Sequence, residues 1–322
     1  MCIRDSNIPQ SYSSTPASDW LIEESRIRGG YNNTSVDFGV KAYIVEDEPK
    51  QSHKFSGLIH SGIFNSRTGI NQTNQFSVGE DITRTIDPAN GSIQLLYAED
   101  TNLIIFQERK VSKSLIDKDA IFSAEGNASV TSRNLVIGQN VSFAGEYGIS
   151  KDPESFAVNG YRKYFTDKDQ NVVCRLSMDG ITVISNYGMT DFFRDKLAKA
   201  TSGGIRGGWD AHNKQYVLCM TGTNLAEPGE PTETFMTLVF DDTVKGWTSF
   251  FDYEPNQIIS LNNDYFTANS GKLYQHYTFA SNTNERAVFY GISYNSNVTF
   301  VLNGAPSTAV SYTHLTLPTR LS

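Results

Sequence analysis

"ESFAVNGYRKYFTDKDQNVVCRLSMDGITVISNYG", residues 154–188, decides how the chain is to be read. Turn signals stand at Asn159-Gly160, Asp167–Gln170 and Asp179-Gly180. The runs between them are short and rich in Tyr, Phe, Val and Ile, which suits strands and leaves no room for helices. The stretch reads as a series of antiparallel hairpins.

The same texture extends in both directions. Upstream, "SIQLLYAEDTNLIIFQERKVSKSLI" gives a strand, a turn at Glu99-Asp100-Thr101-Asn102 and an apolar strand beginning at Leu103–Phe106. Downstream come "GGWDAHNKQYVLCMTG", "TFMTLVFDDTVKGWTSFFDY", "NQIISLNNDYFTANSGKLYQHYTF" and "RAVFYGISYNSNVTFVLNG". A turn recurs every 8–12 residues, the spacing of a sandwich, a barrel or a propeller. A Greek-key sandwich closes in about 100 residues, whereas here the hairpins continue. Loose repeats through Tyr97–Phe106, Tyr161–Ile184, Tyr216–Trp247 and Ile258–Tyr277 suit four-stranded propeller blades. The expected fold is therefore all-β, a β-propeller-like array of short antiparallel hairpins.

One helix interrupts, near 190–201. In "YGMTDFFRDKLAKATSGG", Thr190 is placed to cap, Asp191 favours the positive end, Phe193 and Leu197 share a face, and Gly203-Gly204 are expected to stop it.

Residues 7–90 are loop-rich, with a strand suggested in "VDFGVKAYIVED", and residues 91–309 form the propeller-like domain, expected to be incomplete. The first six residues, MCIRDS, and residues 310–322, VSYTHLTLPTRLS, resemble translated sequencing adapters. They are set aside as artefacts and expected to pack against nothing.

The 27 basic and 35 acidic residues leave a net charge of −8, which argues against a nucleic-acid-binding surface. Between the terminal stretches two cysteines remain, Cys174 and Cys219, whose spacing fits neither a zinc site nor a redox pair. Both are expected to be buried free thiols. No run approaches the roughly 18 apolar residues of a membrane helix.

The search for chemistry yields no catalytic set. His53, His60, His212 and His276 are isolated and read as surface or loop residues. "GGIRGG" (203–208) follows a helix instead of opening one, so it reads as a flexible connector. The neighbours Asp241 and Asp242 would point to opposite faces of a strand, poor geometry for a glycosidase pair. Asp167, Asp169 and Asn171 have the D-x-D-x-N spacing of a calcium loop, but Val172 replaces its glycine and no glutamate closes it. A hairpin tip without metal is the preferred reading, and no cofactor is expected. In "FDDTVKGWTSF", the carboxylates of Asp241 and Asp242 are expected to hold the turn, with Gly246 at positive φ and Trp247 wedged between sheets.

In linear order, residues 135–277 resemble the propeller-like domains of tail structural proteins from tailed bacteriophages, the tail nozzle and packaged-DNA stabilisation proteins. The resemblance rests on Pro153 and Ser155, the "-DG-" turn, the helix "TDFFRDKL", then "NKQYVLCM", "LVFDDTVKGWTSF" and "YFTANSGKLYQHY". In those proteins one hairpin followed by a further strand closes a blade. The matching positions here are Phe240, Asp241, Gly246 and Trp247, then Gly271, Leu273 and Tyr274. The resemblance implies a virion component that is not an enzyme, with other tail or portal subunits as partners. It also implies a homo-oligomeric ring and non-specific proximity to DNA. The alternative from the same architecture is a carbohydrate- or cell-surface-binding β-propeller.

Overall fold

The computed structural model describes residues 26–28, 30–31, 54–62, 64–77, 82–99, 102–122, 128–226, 229, 231–278 and 287–298, without the side chains of 26–31, 77 and 117–135. The adapter-like termini, His53 and the strand suggested in "VDFGVKAYIVED" lie outside the described residues. The chain divides into two compact units, Met1–Thr278 and Phe279–Ser322. In the second, Val288–Phe289 pairs with Ile292–Ser293 across Tyr290-Gly291, both at positive φ.

The first unit is predominantly β. Four antiparallel sheets follow one another in chain order, and in each the strands pair with their sequence neighbours. Sheet I comprises β1 (Ile93–Glu99), β2 (Asn102–Gln107), β3 (Val111–Phe122) and β4 (Ala128–Ser142). Sheet II comprises β5 (Ala157–Asn159), β6 (Arg162–Asp167), β7 (Val172–Ser177) and β8 (Gly180–Val183). After the helix α1 (Thr190–Lys199) comes sheet III, with β9 (Ala200–Asp210), β10 (Gln215–Gly222), β11 (Phe235–Asp241) and β12 (Gly246–Phe251). Sheet IV has three strands, β13 (Gln257–Leu261), β14 (Asp264–Asn269) and β15 (Lys272–Gln275). Before sheet I, Gly57–Ile59 pairs with Thr83–Thr85, and Leu58 and Ile86 pack on Ile105 and Ile137 of that sheet.

Alternation along the strands explains how the sheets stack. Successive side chains point to opposite faces, so β6 sends Phe165 one way and Tyr164 the other. Phe165, Cys174 and Leu176 join Ile104, Phe106 and Val111 of sheet I in one core. Tyr164 and Val173 join Tyr216, Leu218, Leu238 and Phe240 of sheet III in another. Sheet III repeats the device, presenting Val217 and Val239 to Tyr265 and Ile258 of sheet IV. Sheets II and III are thus buried on both faces. Cys174 and Cys219 are free and buried, as expected.

Several local expectations need correction. The N-cap of α1 is Met189, with no side-chain capping bond, and Thr190 is its first helical residue. The helix ends at Lys199, before any glycine, because Ala200 is already extended (φ −64, ψ 146) and leads directly into β9. Lys196 and Lys199, at the negative end of the helix, donate to the carbonyls of Leu225 (2.7 Å) and Ala226 (3.0 Å) and fasten the following loop.

"GGIRGG" is not a connector. It lies inside β9, and its later glycines are places of close approach. A Cβ on Gly207 would stand 2.1 Å from the Ser155 carbonyl oxygen, and one on Gly208 would stand 2.1 Å from Ile258. Small residues here let sheet III seat against both neighbours.

Candidate functional site

Three hairpins share one turn. "DKDQNV" (167–172), "DAHNKQ" (210–215) and "DDTVKG" (241–246) each place an aspartate at the end of a strand. Each aspartate is paired with the residue five positions on: Asp167 with Val172, Asp210 with Gln215, Asp241 with Gly246. The last of the four intervening residues is left-handed in every case: Asn171 (φ 55), Lys214 (φ 57) and Lys245 (φ 52). The carboxylate holds the turn by accepting loop amides. Asp167 accepts Gln170 N (3.1 Å), Asp210 accepts His212 N (2.9 Å) and Asp241 accepts Thr243 N (2.7 Å). Gly246 is therefore not the residue at positive φ. Lys245 takes that role, and a Cβ on Gly246 would meet only Val244 O at 3.9 Å.

The same turns and their neighbours carry the bonds that join sheet to sheet. Between sheets I and II, the Lys163 ammonium pairs with Glu99. Asp167 also accepts Gly148 N (2.9 Å) and Ser150 Oγ (2.8 Å) from the segment leaving sheet I. Between sheets II and III, Asp242 binds two guanidiniums, Arg162 and Arg175, the second at 2.7 Å, and accepts the Tyr164 hydroxyl at 3.3 Å. Asp152, in the lead into sheet II, accepts Gly203 N of β9 at 2.6 Å. Between sheets III and IV, Tyr277 donates to Asp210 (2.7 Å) and accepts from Asn213 (2.8 Å).

Asp241 and Asp242 thus divide their labour. Asp241 stays within its sheet, taking Gln215 Nε2 (3.1 Å) as well as its own loop, and these bonds hold its carboxyl below the usual range. Asp242, expected to bond locally, instead reaches across to the neighbouring sheet. Asp152 and Asp167 are buried, and desolvation raises both carboxyls above the ordinary aspartate value.

The calcium-like spacing at Asp167, Asp169 and Asn171 is spent on the turn. Both Asp167 oxygens hold protein donors, the Asp169 amide donates to Ser150 Oγ (3.0 Å), and Asn171 is the left-handed residue. Among the described residues no three His, Cys, Asp or Glu side chains are grouped as a metal site.

Trp247 is half-buried. Its ring packs on Phe193 of α1 (4.5 Å) and Phe240 of β11 (5.3 Å), and its indole donates to Ile184 O at 3.2 Å. It therefore bridges sheet III, the helix and the turn that follows sheet II. Gly271, at φ 75 in the two-residue turn before β15, and Tyr274 fall on sheet IV, so the supposed blade motif is spread over two sheets.

No protein-family model matches the chain, and no curated protein is significantly similar to it.

Two histidines read as isolated are not. The His212 ring stacks on Tyr277 at 4.4 Å. His276 lies against Tyr253 (5.2 Å) and Tyr265 (4.9 Å), with Nε2 2.7 Å from Thr267 Oγ1. Burial holds its pKa down to about 4, so the ring is neutral near pH 7 and works as packing. The signal for the shared turn was present in the sequence: an aspartate, three residues, then Asn or Lys, occurring three times at hairpin positions.

A cleft of about 260 Å³ opens where sheets I and II meet. Ile104 and Leu176 form its floor, Phe143 and Tyr161 stand at its sides, and Lys113 and Lys163 reach it from the two sheets.

Proposed function

We propose that the chain is a non-enzymatic structural component of a bacteriophage virion, a tail or nozzle protein whose four successive sheets act as propeller-like blades. The observation that carries this reading is the row of carboxylate ties, one or more at each joint between sheets. Glu99, Asp152, Asp167, Asp210 and Asp242 are spent on holding sheets together, with amides, hydroxyls, an ammonium and guanidiniums as partners. Such an arrangement resists displacement of one sheet against the next, which is what a load-bearing wall requires. Among the described residues it brings no nucleophile, acid and base into mutual reach.

The order of elements from Pro153 to Tyr277 supports the tail assignment, and the net charge of −8 fits a wall along which DNA slides without binding. In this reading the partners are portal or other tail subunits, the location is the virion, and copies of the chain assemble in a ring. Sheet IV fits that role. Ile259, Leu261 and Leu273 are 41%, 61% and 64% exposed and offer an apolar surface to a neighbour.

Co-expression with portal and tail proteins, followed by electron microscopy of the purified product, tests the proposal. Rings or portal-bound density are expected. A monodisperse monomer that ignores every tail and portal protein overturns it.

A further inference from the structure

The cleft between sheets I and II is built unlike the other joints. Its lining combines an apolar floor with Lys113, Lys163, Glu99 and Asn102 at the sides. Lys163 is only 3% exposed, and its ammonium reaches Glu99 and, at 3.4 Å, the Tyr161 carbonyl. An ammonium has three N–H donors; two go to these acceptors, and among the described residues the third meets only the Tyr97 ring, whose centre lies 5.5 Å away, a weak contact that an anion can replace. Among the described residues Lys113 has no ion-pair partner, and its ammonium lies 5.8 Å from the centre of the Phe143 ring. Two cations against one carboxylate make this a locally positive cleft in a chain of net charge −8.

Size and lining narrow the ligand. Pockets for drug-sized ligands begin at about 300 Å³, so a cleft of about 260 Å³ suits one six-membered ring. A bare inorganic anion would leave the apolar floor of Ile104 and Leu176 unused. A single carboxylate side chain would leave most of the volume empty. Tyr161 is 62% exposed at the rim, where a phenol ring offers an apolar face and a polar edge together. A sugar ring has the complementary form, with C–H groups on its faces and hydroxyls at its edge.

We propose that this cleft binds a carboxylate-bearing monosaccharide unit. Its carboxylate would sit at Lys113 and the third donor of Lys163, its ring against Tyr161, and its hydroxyls at Asn102 and Ser177. This activity is separate from the structural role and does not depend on it.

The test titrates the full chain with D-glucuronate, D-glucose and acetate, by calorimetry and saturation-transfer NMR at low ionic strength. Glucuronate is expected to bind with a Kd of about 1 mM, ordinary for roughly a dozen heavy atoms. Lys113→Ala and Tyr161→Ala alter exposed side chains, the first losing only its contact with the Phe143 ring, and each should weaken binding about tenfold. Equal binding of glucose would show that the carboxylate is not read. Equal binding of acetate would show that the sugar is not read and that the cleft seats a lone acidic side chain. Either result, full binding by both variants, or no binding at 20-fold the expected Kd (about 20 mM) overturns the proposal.

Discussion

The joint between sheets II and III and the joint between sheets I and II are made by the two faces of the same strands, β6 and β7, yet they are filled differently. Toward sheet III, Tyr164 stacks between Trp209 (5.5 Å) and Tyr216 (5.0 Å), and the Tyr216 hydroxyl donates to Ser155 O at 2.7 Å. Large flat rings with satisfied hydroxyls fill the space, and burial lifts the pKa of both phenols. Toward sheet I, Phe165 meets Phe106 edge-on at 5.3 Å, and above this core the Lys163–Glu99 pair leaves a cleft. A strand with both faces buried does not have to use them alike. One face here is closed by aromatic stacking and the other is left open at its end.

The largest test of that contrast removes a ring from the filled joint. Tyr216→Ala deletes a fully buried side chain and its bond to Ser155, and should cost about 3–5 kcal/mol, as for other large core residues. Tyr161→Ala, at the rim of the open joint, should change stability by no more than about 0.5 kcal/mol. Urea denaturation of both variants reads the difference directly. Equal losses would mean that the two joints do not differ as their packing implies.

The charged ties give the next effect. Asp242 has an 8% exposed side chain and serves Arg175 (13%) and Arg162 (50%). Removing one member of a buried pair costs about 3–5 kcal/mol when the stranded charge is fully enclosed. Arg162 can turn to water, so Asp242→Ala should cost about 2–3 kcal/mol. Glu99→Ala, in the open joint, strands the more deeply buried Lys163, whose ammonium still has the Tyr161 carbonyl and the cleft beside it. Its loss should be smaller, and a loss exceeding that of Asp242→Ala would reverse the ranking of the joints.

How much of this was legible beforehand follows from the range of each interaction. Hairpins with Asn-Gly or Asp-Gly turns are local, and the four strands of sheet II were readable from residues 154–188 alone. The place of α1 was equally local, since Phe193 and Leu197 mark its buried face. Its ends were misjudged because a strand begins immediately after it, so no glycine was needed to stop it. The glycines of "GGIRGG" misled for the opposite reason. Glycine signals flexibility from its own chain, whereas Gly207 is required by Ser155, 52 positions away in sequence. Asp242 and Arg175 are likewise 67 residues apart, and nothing local marks either as a partner. Within the candidate site the turn aspartates could have been found by their repeated spacing. What they bind across the joints could not.

The joint between sheets III and IV responds to pH where the other two do not depend on a histidine. His276, with Tyr253, Tyr265 and Asp210 about it, titrates near 4 when folded and near 6.5 when unfolded. Between those values the unfolded chain binds the extra proton, so this contribution is complete above about pH 6.5 and is lost as the pH falls toward 4. At about 1.4 kcal/mol per pH unit the gap sets a ceiling near 3 kcal/mol, and the partly open ring reduces it to about 1–2 kcal/mol. His276→Gln should flatten the stability profile between pH 6.5 and 4 relative to wild type. An unchanged difference between pH 7 and pH 4.5 would show that His276 does not carry the acid response, and Asp152 and Asp167 could not supply it, because carboxyls raised by burial favour the folded state as the pH falls.

The smallest effect concerns the turn that delivers Asp242 to the filled joint, and here the sign matters more than the size. Lys245 occupies the left-handed region at φ 52, where an L side chain costs about 1–2 kcal/mol relative to its ordinary conformations. Glycine removes that cost but loses about 0.5–1 kcal/mol of unfolded-state entropy. Lys245→Gly should therefore stabilise by about 0.5 kcal/mol. Gly246→Ala, one position on, should be near neutral, because its φ is ordinary and its Cβ would make only an ordinary contact with Val244 O. Intuition from the sequence gives the reverse order, since Lys-Gly in a turn suggests that the glycine bears the strain. Thermal unfolding of the two variants beside wild type separates the cases. A destabilised Gly246→Ala with an indifferent Lys245→Gly would return the strain to the glycine, and would mean that Asp242 is presented by a turn unlike those at Asp167 and Asp210.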